Sequence, residues 1–390
     1  MLDEPSILLN GKRTSTPKKP ASAVPPKPSL PPDGNALVLQ TAVAEVMQID
    51  QVDPNPPAPA SARYVGRLLL DSEAAFARLD AQFAQLDYQA ILTTDEDGRH
   101  VVLAIHGRIR PGPRPWWPNA VLLALTVLSL LYAGAIHEAG MRGETTFALW
   151  QGWPYALSML LILGSHELGH YFAARHHHVN VTLPYFIPAP VSFGTLGAFI
   201  QLREPMRNRK ILFDVGVAGP LAGLIVTLPI LFIGLATSPL ELLPDEAYVL
   251  EGDSLFYAVS KLAIFGEMLP NDQEDVFINQ LAKAGWTGLF ITGLNLIPLG
   301  QLDGGHVVFT LFGRQARRAY IPIVTGFLIL SLYNPAWLLW TILLFFLGRA
   351  YAVPMDTVTD LDRRRRWLGY AALVIFVLVF VPDPLRLIQP

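Results

Sequence analysis

Two histidines flank a glutamate within one apolar stretch, as His166-Glu167-Leu168-Gly169-His170. In a helix, residues four apart project from the same face, so the two imidazoles can share one metal ion, with Glu167 beside it. This arrangement suits zinc-assisted hydrolysis, in which the histidines bind the metal and the glutamate accepts a proton from water. The alternative is a set of paired polar groups in a structural core. Ionisable groups in an apolar segment are costly and by default mark function, which favours the zinc site.

A catalytic zinc usually has three protein ligands, so the chain must supply another beyond the histidine pair. Asp303 is the best further ligand, because it is a carboxylate within a second apolar segment, followed by Gly304 and Gly305. Simple turn chemistry is the alternative role for an aspartate beside two glycines. Arg175 follows the histidine pair by roughly 10 Å of helix and Arg314 follows Asp303 by roughly 16 Å, so the two motifs lie at similar depth.

Asn295 precedes Asp303 by two helical turns and could donate a hydrogen bond to the substrate backbone or to a developing oxyanion. A contact between two membrane helices is the alternative role for this amide. We therefore include Asn295 as a substrate or oxyanion residue, and keep the packing role open.

The composition predicts a membrane protein. Of the 390 residues, 52% are hydrophobic and only 16% are charged, which is unusual for a soluble globular protein. The net charge of -3 gives no basic surface for nucleic acid, so we expect no nucleic-acid partner. Cysteine is absent, which leaves histidine, aspartate and glutamate as the metal ligands. The expected partner is therefore the lipid bilayer.

The first part of the chain is polar and divides in two. Residues 1–36 are rich in proline, lysine and serine, and we predict a disordered arm. Residues 37–112 predict a small soluble α+β domain. Within it, 64–70 has the pattern of a strand, 72–88 has apolar residues at helical spacing, and a hairpin turns at Asp97-Gly98.

Residues 113–390 predict a membrane-embedded metalloprotease domain in a polytopic α-helical membrane protein. Several apolar segments are near the length that crosses a bilayer. They are 119–136, 147–174, 211–236, 285–312, 320–348 and 367–382. Tyr333-Asn334-Pro335 divides the fifth into two short helices, which gives about seven transmembrane helices. The glycine-broken segment 188–202 predicts a re-entrant hairpin whose edge could pair with an unwound substrate strand, or else an interfacial loop.

Lysine and arginine gather on the cytoplasmic side of membrane spans, and the cationic loops here all fall on one side if the spans alternate. The loop at 237–284 is acidic and faces the other side. This pattern predicts a cytoplasmic N-terminus. The absence of a serine- and arginine-rich transit segment favours a bacterial plasma membrane over a plastid one.

The two motifs together resemble those of a known family. HELGH in one apolar segment and NLIPLGQLDGG in a later one are similar to the signatures of the site-2 proteases, and LPYFIPAPVSFGTLGAFIQLREPMRNRKILFDVGVAGPLAGL resembles the section between them. The resemblance covers about residues 145–315, and it is greatest to the EGY-type proteases of chloroplasts and their bacterial relatives.

This resemblance implies a zinc-dependent endopeptidase with a core of three helices, which cuts membrane proteins within the bilayer. It also implies that His166, His170 and Asp303 bind Zn2+ and that Glu167 is the catalytic base. The 237–284 loop is too short for the PDZ domain of some members. Two alternatives remain open: a polytopic metal-ion transporter, and a catalytically silent relative that acts as a membrane scaffold.

Overall fold

The computed structural model describes residues 34–190, 193–244 and 248–388. The predicted arm at 1–36 lies outside the described residues except for its last three. The helices are α1 (Ala36–Ala44), α2 (Ser72–Gln85), α3 (Trp117–Met141), α4 (Trp153–His176), α5 (Arg209–Ala236), α6 (Leu255–Phe265), α7 (Gln280–Asn295), α8 (Asp303–Phe312), α9 (Tyr320–Tyr333), α10 (Leu338–Leu347) and α11 (Arg363–Val379). The strands are β1 (Met47–Asp53), β2 (Ala62–Leu68), β3 (Tyr88–Thr94), β4 (His100–His106), β5 (Tyr185–Pro188), β6 (Thr195–Phe199), β7 (Leu240–Leu242), β8 (Tyr248–Glu251), β9 (Glu274–Val276) and β10 (Leu385–Ile388).

An antiparallel sheet in the order β1-β2-β4-β3 forms near the N-terminus, with α1 and α2 packed on it. The predicted strand, helix and hairpin correspond to β2, α2 and the β3–β4 pair, whereas β1 and α1 were not predicted. The apolar residues of α2 recur at helical spacing, so they lie on one face of the helix and pack against the sheet. The side chain of Asp71 caps the start of the helix by accepting a hydrogen bond from the Glu73 N–H.

The open edge of β3 is covered by a remote segment. The Leu92 N–H donates to the Met355 carbonyl at 2.8 Å, and the Thr357 N–H donates to the Leu92 carbonyl at 2.9 Å. The same segment also pairs with residues that precede α5, since the Met355 N–H donates to the Met206 carbonyl at 2.9 Å. The residues at 355–357 therefore join the N-terminal sheet to the start of a membrane helix.

Among the described residues, two helices are long and apolar enough to cross a membrane, namely α3 with 25 residues and α5 with 28. Helix α4 has 24 residues, but the ionisable groups of HELGH lower its hydropathy. Helices α7 and α11 have 16 and 17 residues, fewer than a full span. The fold thus mixes helices with small sheets, and the count of about seven spans stays a prediction.

The segment at 285–312 differs from the prediction of one continuous span. The structure ends α7 at Asn295 and starts α8 at Asp303, with an irregular loop between them. Gly300 adopts a φ of +62°, and a β-carbon there would lie 2.7 Å from the Gly348 backbone, so only glycine fits. Pro298 has no backbone N–H to donate to a helical hydrogen bond. This explains why α7 does not continue to Gly304 and Gly305. By contrast, the chain does divide at Tyr333-Asn334-Pro335, as the sequence predicts.

The cationic loops lie together on one side of the helices. The Arg114 guanidinium donates to the Gln201 side chain at 2.6 Å. Lys210 forms an ion pair of 2.6 Å with Glu73 of α2, which packs on the N-terminal sheet. The N-terminal sheet therefore sits on the cationic side, where α4 ends and α5 begins.

Candidate metal centre

Helix α4 carries the two motif histidines on one buried face. His166 is 4% exposed and His170 is 7% exposed, and their Nε2 atoms lie 3.1 Å apart. The four-residue spacing brings both rings to the same side of the helix, as the sequence predicts. The two nitrogens thus point into one small space.

Asp303 enters this space from the first turn of α8. Its Oδ2 lies 3.3 Å from His166 Nε2, and its Oδ1 lies 3.3 Å from His170 Nε2. The break before α8 makes this approach possible, because it turns the chain before Asp303 instead of continuing α7. The structure therefore brings together all three residues that the sequence proposes as ligands.

The donor set fits a zinc ion in number, type and spacing. One ligand atom from each of the three residues lies within 4.8 Å of the others. A tetrahedral zinc with bonds of about 2.0 to 2.1 Å keeps its ligand atoms about 3.3 Å apart, which is close to the observed separations. Two imidazoles and a carboxylate are also a ligand set that zinc accepts, with a fourth position left for water or substrate.

Helix α5 packs against the ligands through a row of glycines. A β-carbon at Gly219 would lie 2.1 Å from His170 Nε2, and one at Gly223 would lie 3.2 Å from the His166 ring. The carbonyl of Val215 on the same helix accepts from His170 Nδ1 at 2.7 Å. That hydrogen bond leaves Nε2 free to face the metal position, which is how metal-binding histidines are normally held.

Glu167 lies beside the ligands without joining their set. It is 3% exposed, and its Oε2 atom has no hydrogen-bond partner among the described residues. The residue lies against the backbone of Ile200, which follows β6. A buried carboxylate oxygen without a partner needs a hydrogen-bond donor, and a reacting water can supply one.

Asn295, the last residue of α7, also reaches the site. Its Nδ2 lies 3.2 Å from His166 Nε2, at the boundary between the helix and the loop. The structure therefore brings this residue to the metal-binding group, where its amide can contact either a ligand or a bound reactant.

A hairpin formed by β5 and β6 lies near α4 and overlaps the segment at 188–202 that is predicted to be re-entrant. Its tip is held from inside the protein, because Tyr155 on α4 donates to the Phe193 carbonyl at 2.9 Å. The Phe193 ring packs on Trp286 and Phe290 of α7. The hairpin is thus fixed to the two helices that carry HELGH and Asn295.

Sequence reasoning missed two histidine environments. His306 stands one turn after Asp303, and the rule that marks ionisable residues in membrane segments would have singled it out. His177, just after α4, contacts Asp214 at 2.9 Å, and Arg365 binds that carboxylate through two nitrogens at 2.7 and 2.6 Å. The second network ties α4, α5 and α11 together away from the metal-binding group.

Comparison with known proteins defines the class. Residues 154–332 match the family model described as Peptidase family M50, and this range contains all five residues of the predicted site. The chain thus contains an M50 peptidase domain, which is the domain of the site-2 proteases, an intramembrane family. The resemblance inferred from HELGH and NLIPLGQLDGG is confirmed.

Three of the similar proteins are probable zinc metalloproteases of plants. The chain is 34% identical over 234 residues to the probable zinc metalloprotease EGY2, chloroplastic, of Oryza sativa subsp. indica, an alignment that covers 59% of this chain and 42% of that protein. It is 30% identical over 318 residues to EGY2 of Arabidopsis thaliana, which covers 79% and 57%. It is 31% identical over 238 residues to EGY1 of Arabidopsis thaliana, which covers 59% and 42%. The chain spans about half the length of these relatives.

The prediction of a bacterial plasma membrane is wrong. These zinc metalloproteases are named as chloroplastic proteins of plants. The prediction depended on the composition of the N-terminal residues, which lie outside residues 154–332, the part that matches the peptidase family.

Proposed function

We propose that this chain is a zinc-dependent intramembrane endopeptidase that hydrolyses a peptide bond of membrane-protein substrates. The observation that carries the proposal is the buried group of His166, His170 and Asp303. Beside it lies the Glu167 carboxylate, whose Oε2 has no hydrogen-bond partner in the part of the chain that the structure describes. In this proposal the first three residues hold Zn2+ and Glu167 is the catalytic base.

The chemistry divides between the metal and the side chains. Bound zinc supplies Lewis acidity, which polarises the scissile carbonyl and makes water easier to deprotonate. Glu167 accepts a proton from the attacking water as its oxygen bonds to the carbonyl carbon. Glu167 then delivers that proton to the amide nitrogen as the carbon–nitrogen bond breaks, so that a carboxylic acid and an amine leave. The acid loses its remaining proton to solvent. Asn295 donates a hydrogen bond to the substrate backbone or to the developing oxyanion.

The β5–β6 hairpin is the proposed docking place for the substrate. A helical peptide bond is shielded by its own hydrogen bonds, so the substrate must be extended before hydrolysis. An extended segment could pair with the edge of the hairpin, which lies against Glu167 through the Ile200 backbone. The anchors at Tyr155 and Phe193 support this role because they hold the hairpin against the site.

We further propose a division of the chain into three parts: an arm at 1–36, a small α+β domain at 37–112 and a membrane-embedded protease domain at 113–390 with about seven spans. The N-terminal sheet supports the second part, because most of its core comes from its own strands and helices. Met355 and Val358 are the residues that pack against this core from outside the sheet's own segment, among the described residues. The small domain acts as a regulator or substrate adaptor, because it sits on the cationic side, where α4 ends.

The proposal can be tested on the full chain reconstituted in liposomes with a model single-span membrane protein. We expect cleavage that requires zinc and stops in the Glu167→Gln variant, without metal flux. Metal flux without cleavage would identify a transporter instead. A chain that binds zinc but neither cleaves nor transports would be a silent scaffold.

A further inference from the structure

The glycine row of α5 faces three histidines, one more than the HELGH motif supplies. Gly223 meets His166 and Gly219 meets His170, while a β-carbon at Gly216 would lie 2.9 Å from the Cβ of His306. These glycines are spaced by three and four residues, so they form one face of the helix. The same face that accommodates the two motif histidines thus also accommodates His306.

His306 stands three residues after Asp303 on α8, so the two side chains project from the same face of that helix. His306 is close enough to interact electrostatically with both Asp303 and His170. Its Cδ2 edge lies toward Gly216, which turns Nδ1 to the opposite edge of the ring. Nδ1 is buried and has no hydrogen-bond partner among the described residues.

The His306 ring and the Asp303 carboxylate each leave a hydrogen-bonding requirement unmet. A buried ring nitrogen without a partner is costly. Among the described residues, Asp303 receives side-chain contacts from the two motif histidines, whose Nε2 atoms face the metal position. Carboxylates that bind a metal are normally held by a further hydrogen bond from outside the ligand set.

We propose that His306 is a positioning residue for Asp303, whose Nδ1–H donates to the carboxylate when the site holds zinc. This inference rests on the proposed zinc site and extends it to a residue outside HELGH. His306 would hold the Asp303 side chain in orientation, as the Val215 carbonyl holds the His170 ring. Loss of the His306 ring should therefore weaken zinc binding without removing a ligand.

The test is zinc affinity, measured by competition with a chromophoric chelator on the purified full chain in detergent. We expect His306→Leu to bind zinc about 10- to 100-fold more weakly than the wild type. His306→Asn should restore most of the affinity, because its amide lies near the position of Nδ1, whereas the longer His306→Gln should not. Val307→Ala is the matched control, since Val307 is buried in a separate cluster with Phe213 and Val217.

The outcomes separate the two proposals. A wild-type chain that holds no zinc would overturn the proposed function, and this inference with it. Wild-type zinc binding with undiminished affinity in His306→Leu would overturn the positioning role alone. The positioning role would also be overturned if Val307→Ala lowered the zinc affinity as much as His306→Leu does. It would be overturned as well if His306→Gln restored the affinity and His306→Asn did not.

Discussion

Gly219 on α5 and His170 on α4 are in such close contact that a β-carbon on the glycine would lie 2.1 Å from the histidine Nε2. Real β-carbons do not approach a neighbouring atom so closely. His170 cannot readily move aside, because its Nδ1 is hydrogen-bonded to the Val215 carbonyl at 2.7 Å. The packing of α5 therefore fixes the position of a metal-binding nitrogen.

Gly219→Ala should accordingly weaken zinc binding by at least about tenfold, since it displaces a ligand whose orientation is held from outside the ligand set. Gly164→Ala is a matched control on α4, where a β-carbon would meet nothing within 4 Å. Both variants would be assayed by chelator competition. Equal zinc affinity in the two variants would show that the close contact does not constrain the site.

Glu167→Gln should abolish cleavage while zinc stays bound, because the amide keeps the size of the side chain and cannot accept the proton. Loss of proton transfer alone should lower the rate by about 10²- to 10⁴-fold. Asp303→Ala should instead lower both zinc content and activity. Metal content and turnover would be measured on the same purified samples. If Glu167→Gln lost its zinc, Glu167 would have to be reassigned as a ligand.

The acidic side of the protein should show pH-dependent stability through Glu251 in β8. Burial raises the pKa of the Glu251 carboxyl to about 7, while the nearby Lys261 ammonium opposes that shift and Asp275 adds to it. Its Oε1 accepts a hydrogen bond of 3.0 Å from the Tyr257 hydroxyl. A carboxyl with a raised pKa stabilises the fold in its protonated form. In the unfolded chain the pKa of a glutamate carboxyl is about 4.3. The stabilisation is complete below that pH and is lost as the pH rises toward 7.

Glu251→Gln should remove this dependence, since the amide stays neutral at every pH. Between pH 4.5 and 7.5 the wild type should lose about 3 kcal/mol of stability relative to the variant. Thermal unfolding midpoints of both proteins across that range provide the measurement. Parallel profiles for the wild type and the variant would refute the assignment to Glu251.

Asp356 should control how firmly the N-terminal sheet is attached. This residue is fully buried, and its carboxylate accepts from the N–H groups of Val358 and Thr359 at 2.9 and 3.0 Å and from the Thr359 hydroxyl. Asp356→Ala should loosen the segment that pairs with β3, at a cost of about 1 to 3 kcal/mol. Limited proteolysis should then cut residues 95–115 faster than in the wild type. Asp360→Ala is the control, because Asp360 is exposed and contacts Arg209 at the surface.

The sequence predicts one part of the site well because the spacing is local. His166, Glu167 and His170 belong to one helix, so their mutual arrangement follows from helical geometry alone. Asp303 could be proposed as a third ligand because its segment and α4 are both followed or ended by arginines. Measured from those arginines, the two motifs lie at a similar depth in the membrane. The structure brings Asp303 to within 3.3 Å of both histidines although the intervening chain is not one helix.

Other features could not be derived from the sequence. The relation of His306 to Asp303 depends on where α8 begins, and the break after Asn295 sets that start through contacts with the distant Gly348. Likewise the alternation of residues in β3 predicts a strand, but it does not show that Met355 lies at its edge. Contacts between remote segments depend on packing, which a local pattern does not contain.

The pairing of β3 with residues 355–357 has a consequence for how the protein is made. Thr93 and Thr357, whose hydroxyls lie 3.0 Å apart, are separated by 264 positions, and the helices from α3 to α10 lie between them. The ribosome must therefore synthesise all of those helices before the N-terminal sheet can gain its last neighbour. Until then the β3 edge stays open to other chains, and such edges promote aggregation. Biogenesis should thus be most vulnerable while the C-terminal part is still being synthesised.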